Sequence, residues 1–243
     1  MKTSVKVLYG VTLGFSICIS CMLIASFCSP NWIEAQAIRN VTGAPDTIAD
    51  PPNDRYSGLV TFGIIYGYKQ FNYGFGARER LTYIVFVEYE DVFNTDLVVV
   101  TLVFMIPAVV FAVVATFFSY LNTTRVPTET LHGRPGLYLW NGIGLLACVL
   151  SLSVYAALYL TEIQYEALSV EDRQSTGGFY TDRSLLGYSY WLVVASAVLY
   201  VFNLILILMT QLVQDPPEWL QRRYRTADLE QPPATELKLG IIY

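Results

Sequence analysis

Four long stretches of apolar residues, none of which contains a charged side chain, divide this chain of 243 residues. They run over Val7–Cys28, Leu97–Tyr120, Leu137–Leu160 and Tyr188–Leu212. Each is long enough to cross the hydrocarbon core of a bilayer, which takes about 20 residues of helix. Because the bilayer interior offers the backbone no water, we expect helices here and not strands.

The pattern therefore predicts an all-α transmembrane four-helix bundle. We expect spans at 7–28, 96–120, 137–160 and 188–212, with the segments 1–6, 29–95, 121–136, 161–187 and 213–243 outside the bilayer. The composition agrees, since only 14% of the residues are charged, against about 25% in soluble domains. The alternative for the first span is a cleaved signal peptide, but its apolar run is longer than the usual 7–15 residues.

The positions of lysine and arginine indicate the orientation. Eight of the 15 cationic side chains lie in the N-terminus, the second connection and the tail, and cations beside a span resist translocation. We expect both termini in the cytoplasm and the plasma membrane as the location. The net charge of −5 reflects mainly acidic residues of the two outer loops, so nucleic acid is not an expected partner.

The first outer loop, residues 29–95, is the longest polar segment. Its second half alternates with a period of two from Val60 to Tyr68 and again from Leu81 to Val87, as strands do. We expect a small antiparallel β-sheet in this loop, with the alternate side chains from Val60 through Tyr68 on one face. Trp32, just after the first span, suits an interfacial anchor or a plug beneath the sheet.

Two N-glycosylation sequons differ in their expected side of the membrane. Asn40-Val41-Thr42 lies in the first outer loop, where a glycan can be added. Asn122-Thr123-Thr124 lies in the cytoplasmic connection, where none can be. We therefore predict a glycan on Asn40.

Within the membrane the sequence offers packing residues and little chemistry. Apart from Asp96 at the edge of the second, no predicted span contains Asp, Glu, Lys, Arg or His, which argues against an ion or proton path. Small residues allow close helix approach, a proline kinks a helix, and asparagines bond between helices. The residues expected in these packing roles are Gly10, Gly14, Gly142, Gly144, Pro107, Asn141 and Asn203.

Catalytic and metal sites are not indicated. His132 is the single histidine, and one histidine cannot build a metal site. The four cysteines, Cys18, Cys21, Cys28 and Cys148, lie along the first and third spans, so an extracellular disulfide framework is not expected. We predict a protein that is not an enzyme and needs no cofactor.

The C-terminus ends in Ile241, Ile242 and Tyr243. An apolar terminus of this kind is able to add as a strand to a PDZ domain that captures the carboxylate. The alternative is a terminus that takes no part in binding.

Several short segments together resemble the clarins, which belong to the claudin-like four-helix membrane proteins. The second connection carries the most specific match, ETLHG-x-x-GLYL, formed here by Glu129, Thr130, Leu131, His132, Gly133, Gly136, Leu137 and Tyr138, with Leu139 after them. Looser matches are Trp32 after the first span, the terminal Tyr243, and the late outer-loop residues Gly74, Gly76, Ala77 and Arg78.

The resemblance implies a non-catalytic tetraspan that organises membrane complexes in sensory cells, in hearing, vision, synapses or actin-based protrusions. Its implied partners are membrane lipids, other membrane proteins or a second copy, and a PDZ or cytoskeletal adaptor. Two alternatives stay open: a claudin-like junction or adhesion protein, and an auxiliary subunit of an ion channel.

One departure from the family concerns two cysteines of the first outer loop. The resemblance places them shortly after the tryptophan and just before the Gly-x-Gly-Ala-Arg segment. Here residues around Arg39 and Tyr73 stand in those places. We therefore expect the outer sheet to hold together by packing, without a disulfide, which argues against a barrier-forming, disulfide-braced loop.

Overall fold

The computed structural model describes residues 3–39, 57–73, 76–124, 133–174 and 179–214. In chain order they form α1 (Thr3–Cys28), β1 (Ile33–Arg39), β2 (Ser57–Phe62), β3 (Tyr66–Phe71), β4 (Leu81–Ile84), α2 (Val85–Glu88), α3 (Thr95–Thr124), α4 (Arg134–Leu158), α5 (Val170–Gln174), β5 (Phe179–Leu186) and α6 (Tyr188–Gln214). A π-helical turn, Tyr159–Ile163, extends α4.

Four of these helices, α1, α3, α4 and α6, are long and apolar enough to cross a membrane. The candidate spans are Val5–Cys28, Thr95–Thr124, Pro135–Ile163 and Tyr188–Gln214, so the predicted four-helix bundle is confirmed. Helix α1 packs against α3 and α6, and α4 packs against the same two helices. The four helices thus close a ring, with their mixed apolar and small polar interior shielded from lipid.

A five-stranded antiparallel sheet caps one end of the bundle, in the order β4-β3-β2-β1-β5. We call this unit the cap and this end the cap end. The first long connection supplies four strands, which confirms the small antiparallel sheet predicted there, but the fifth comes from the connection between α4 and α6. The sequence does not predict strand β5, because its polar and apolar residues do not alternate regularly. It lies at the edge of the sheet, and its pairing with β1 shifts register opposite Gln36 and Ala37.

The prediction that the alternate side chains from Val60 through Tyr68 share one face of the sheet is wrong, because a hairpin turn lies between them. Strand β2 ends at Phe62, the chain turns, and β3 returns so that Phe62 pairs with Gly67. Val60 and Phe62 face the buried side, whereas Tyr66 and Tyr68 take the opposite face.

The predicted alternation after Leu81 also stops early. Strand β4 ends at Ile84, and the short helix α2 follows it. Val85 is buried at the start of this helix, while Val87 is exposed to the surroundings. A helical turn at this point replaces the alternation that strand pairing would require.

Trp32 is the plug between cap and bundle, so the interfacial-anchor alternative is wrong. Its side chain has no exposed surface, and its Nε1 donates to the Ser26 carbonyl at 2.9 Å. The ring meets Tyr155 and Tyr190 edge-on, with centroids 4.7 and 6.1 Å away. Edge-to-face aromatic pairs contribute about 0.5–1.5 kcal/mol beyond their buried area, so this residue fixes the cap on the helices.

Candidate functional site

A partly buried ion cluster, which we call the clasp, joins the two connections that build the cap. The Lys69 ammonium on β3 donates to Glu88 Oε1 at 2.5 Å and to the two oxygens of Asp172 at 3.1 and 3.2 Å. Ser169 Oγ donates to the same aspartate at 2.8 Å. Glu88 belongs to α2 and Asp172 to α5, so the lysine holds elements far apart in sequence.

The electrostatics of the clasp favour a charged lysine. Burial alone lowers the pKa of Lys69, but the hydrogen bond to Glu88 and the charge of Asp172 raise it by more. The net pKa lies above the ordinary value of 10.5. Lys69 is therefore protonated in any physiological medium, and the cluster is a structural ion group.

An aromatic layer lies beside the clasp. Phe62, Tyr89 and Phe93 stack with centroids 5.0 to 6.0 Å apart, and Tyr83 joins Tyr89 at 5.6 Å. The Tyr89 hydroxyl donates to the Ala167 carbonyl at 3.1 Å, so this layer also reaches the second loop. Desolvation by burial raises the pKa of Tyr89 well above its ordinary range, which keeps the hydroxyl protonated as a donor.

Aromatic packing occupies the place of one expected cysteine. Tyr73 meets Phe179 of β5 edge-on at 5.3 Å, and Phe71 packs on the same ring at 4.8 Å. The Arg78 guanidinium lies 4.6 Å from the centre of the Tyr73 ring. All four cysteines are free, so within the described chain this end of the sheet is held by ring contacts.

The bundle interior contains a second polar group, which we call the amide layer. Asn203 on α6 donates through Nδ2 to Asn141 Oδ1 on α4 at 2.9 Å and to Ser16 Oγ on α1 at 3.1 Å. Ser16 in turn lies 3.2 Å from Ser119 Oγ on α3. All four residues are buried, so neutral hydrogen bonds connect all four membrane helices in one layer.

The sequence singled out the two asparagines, and the structure brings them together, but it did not point to Ser16 or Ser119. Serine has a neutral hydropathy and is common in membrane helices, so a single serine gives no signal. The signal that could have identified Ser16 is its spacing of four residues from Ser20. Both serines face α3, where Ser20 Oγ lies 2.9 Å from Thr116 Oγ1. Polar residues four apart on an apolar helix mark a face that contacts another helix.

The predicted packing glycines behave differently from one another. A Cβ atom at Gly144 would lie 2.5 Å from the Tyr200 hydroxyl, so this glycine is what lets α4 and α6 approach. At Gly10, Gly14 and Gly142 a Cβ would meet nothing within 4 Å. For these three, no described element packs closely, so their packing role stays a prediction.

Pro107 lies inside α3 without ending the helix. The neighbouring Ala108 carbonyl accepts a hydrogen bond from the Tyr200 hydroxyl at 3.3 Å. The phenol that occupies the space beside Gly144 therefore also reaches the proline-containing turn. This tyrosine connects α3, α4 and α6 at one level of the bundle.

Part of the family motif is described. Gly76 has a φ of 104°, a left-handed conformation that favours glycine, and it turns the chain so that Ala77 bridges to Asn72. Gly133 precedes α4, and Gly136 lies in its first turn. Leu137 is buried there, and the Tyr138 hydroxyl donates to Gln211 on α6 at 3.2 Å.

Other predicted residues lie outside the described residues, namely Asn40, Gly74, Glu129, Thr130, Leu131, His132, Ile241, Ile242 and Tyr243. The second sequon is described in part. Asn122 lies within α3, buried, and its amide donates to the Phe118 carbonyl at 2.8 Å. No group of three or more His, Cys, Asp or Glu side chains able to hold a metal ion occurs in the described part of the chain.

Comparison with known proteins gives one consistent result. A family model described as Clarin-2-like matches residues 4–207. Mouse Clarin-2 is 24% identical over 209 residues, which is 85% of this chain and 88% of that protein. Rat Clarin-1 is 23% identical over 206 residues, 83% and 86% of the two chains, and human Clarin-3 is 25% identical over 115 residues, 46% and 49%. With four membrane helices, a β-cap and a family match along most of its length, the chain belongs to the clarin family.

Proposed function

We propose that this clarin is a non-catalytic scaffold that organises membrane complexes in the plasma membrane of sensory cells, with both termini in the cytoplasm. The observation that carries the proposal is the closed bundle interior. The amide layer joins all four helices by neutral hydrogen bonds, and Tyr200 fills the space beside Gly144. Such an interior favours a rigid platform over a transport path.

The scaffold acts through the two ends of the bundle. At the cap end, the clasp and the aromatic layer hold both outer loops as one surface. At the other end, the terminal Ile241, Ile242 and Tyr243 are proposed to bind a PDZ or cytoskeletal adaptor through strand addition. Other membrane proteins or a second copy are proposed as lateral partners.

Crosslinking and co-purification from native membranes test this proposal. We expect full-length protein to capture a defined set of membrane and cytoskeletal proteins. A chain that lacks Ile241 to Tyr243 is expected to lose the cytoplasmic adaptor and keep the membrane partners. A matched control appends one residue after Tyr243, which converts its carboxylate into a peptide bond and is expected to act like the deletion.

The same experiment, together with a cell-aggregation assay, separates the alternatives. Enrichment of a pore-forming protein would instead indicate an auxiliary subunit of a channel, and homotypic aggregation of expressing cells would indicate an adhesion protein. If neither the full chain nor the deletion enriches any protein above a membrane background, the scaffold proposal is wrong.

A further inference from the structure

An apolar patch lies on the β4 side of the cap, formed by Ile65, Ile84 and Val87, and we call it the rim patch. The exposed fractions of these side chains are 37%, 55% and 74%. Ile84 pairs with the neighbour of Ile65, and the Val85 amide donates to the Ile65 carbonyl at 3.0 Å. Strand β4 pairs only with β3 in the sheet order, so within the described chain the patch borders an uncovered strand edge.

The position of the rim patch relative to the spans follows from its contacts with the end of α1. Gly63 lies in the turn before Ile65 and is close to the end of α1. A Cβ atom added to Gly63 would lie 2.5 Å from the carbonyl oxygen of Ser29. The Tyr66 hydroxyl donates to the Cys28 carbonyl at 2.7 Å. Cys28 is the last residue of the first span, so the turn rests directly on the end of an apolar helix.

The distance from that contact to the patch is short. Ile65 lies two residues beyond Gly63, which limits their separation to about 7 Å. The headgroup layer extends about 5–7 Å beyond the hydrocarbon core on each side of a bilayer. Ile65 therefore lies at the depth of the headgroups, and the pairing of Ile84 with Tyr66 and the bond from the Val85 amide to Ile65 keep the rest of the patch beside it.

Aromatic residues at the start of α6 mark the same level. The Tyr188 hydroxyl lies 2.5 Å from Ser29 Oγ, and Tyr188 and Trp191, in the first turns of α6, are both exposed. Tyrosine and tryptophan concentrate where hydrocarbon meets headgroup. Ser29 thus lies at the membrane boundary, as its place at the end of the span requires.

The charges near the patch indicate which lipid it contacts. The clasp turns Glu88 toward Lys69, while Glu90 and Asp91 follow the patch and are exposed. The exposed charges that flank the patch, Arg78, Glu79, Arg80, Glu90 and Asp91, are two cations and three carboxylates that sum to −1, which disfavours an anionic surface. A zwitterionic leaflet carries no such repulsion.

We propose that the rim patch is a lipid contact, in which Ile65, Ile84 and Val87 insert among the headgroups and upper acyl carbons of zwitterionic phospholipid on the cap side. The contact fixes the cap against the bilayer and covers the β4 edge, which leaves the β5 edge as the open edge of the sheet. This inference does not depend on the scaffold proposal.

Spin labelling tests the contact on the full chain in phosphatidylcholine nanodiscs. In a background with the native cysteines replaced by alanine, one label is placed by Val87→Cys and, in a separate protein, by Ile84→Cys. Val103→Cys on α3 is the lipid-exposed control and Tyr180→Cys on β5 the water-exposed control. The measurement is the accessibility of each label to oxygen relative to a water-soluble nickel chelate.

We expect the ratio of oxygen to nickel accessibility at Val87 and Ile84 to exceed that at Tyr180 several-fold and to lie below that at Val103. A ratio equal to that at Tyr180 would place the patch in water and overturn the proposal. Low accessibility to both reagents, with dipolar broadening that disappears on dilution with unlabelled protein, would show that a second copy covers the patch. Either label site alone decides the question if the other variant does not fold.

Discussion

Replacement of Lys69 by methionine tests how the cap is held together without a disulfide. Methionine keeps most of the apolar stem but removes the ammonium that bonds to Glu88 and Asp172. Both carboxylates contact the same nitrogen, so the substitution leaves two negative groups facing each other in a partly buried site.

The magnitude follows from the burial of the three side chains. Breaking a fully buried ion pair by removal of one partner costs about 3–5 kcal/mol. The side chains of Lys69, Glu88 and Asp172 are 12%, 19% and 10% exposed, so some solvent screening remains and we expect a loss of about 2–3 kcal/mol. Arg173→Met is the matched control, because Arg173 and Glu166 are 32% and 48% exposed and such pairs contribute about 0–1 kcal/mol.

The assay is thermal unfolding of the cap in phosphatidylcholine nanodiscs, followed by near-ultraviolet circular dichroism of its tyrosines. Adding Glu88→Gln to Lys69→Met removes one of the two unpaired charges and should recover part of the loss. Equal stabilities of Lys69→Met and Arg173→Met would refute the reasoning, since the clasp would then contribute no more than a surface pair.

The difference in stability between wild type and Lys69→Met should depend on pH in a way that follows from the raised pKa of Lys69. A group with a raised folded pKa contributes its full stabilisation below the unfolded value, here 10.5, and loses it as the pH rises through the folded value. On the alkaline side, the gap between wild type and Lys69→Met should therefore stay constant from neutral pH to about 10 and narrow only above 10.5. A gap that closes between pH 7 and 9 would contradict a charged lysine as its cause.

Three further predictions address other parts of the chain. Gly144→Ala should lower the stability of the bundle by about 1–3 kcal/mol through overpacking. Gly142→Ala, with open space around it, should raise the stability by up to about 1 kcal/mol. Thermal unfolding measures both variants, and a Gly144→Ala protein more stable than Gly142→Ala would contradict the packing described. A double-mutant cycle of Asn141→Ala and Asn203→Ala should give a coupling of about 0.6–1.7 kcal/mol, and additive losses would mean that their hydrogen bond contributes nothing. Asn40→Gln should abolish a glycosidase-sensitive mass increment, and an unchanged mass in wild type after glycosidase treatment would show that the site carries no glycan.

The membrane spans could be predicted from the sequence because length and hydropathy suffice to define them. The cap could be predicted only in outline. Strand β1 pairs with β5 across more than a hundred residues of chain, and no local pattern encodes such pairing. The turn after Phe62 was missed because Ile64 within it is apolar and buried, which continues the alternation through a reversal of the chain.

The interior contacts show the same limit of sequence reasoning. Asn141 and Asn203 are conspicuous in apolar helices, and an interhelical role follows from the cost of burying an unpaired amide. Which of the two meets the other, and that Ser16 lies beside them, depends on helix order and rotation. Likewise, Gly142 and Gly144 are alike in sequence, but only Gly144 faces a phenol ring.

The central structural claim is that the connection between α1 and α3 and the connection between α4 and α6 form one sheet at the cap end, which we propose to lie outside the cell. Glu34 and Leu185 are partners across β1 and β5, and neighbouring antiparallel Cα atoms are about 4.5–5.5 Å apart, within disulfide range. In a background without native cysteines, Glu34→Cys with Leu185→Cys should form a disulfide in intact cells treated with a membrane-impermeant oxidant. Glu34→Cys with Tyr68→Cys, whose strands lie two positions apart at about 10 Å, should not. Failure of the first pair to crosslink, or equal crosslinking of both pairs, would contradict the shared sheet, and crosslinking only after permeabilisation would contradict the orientation.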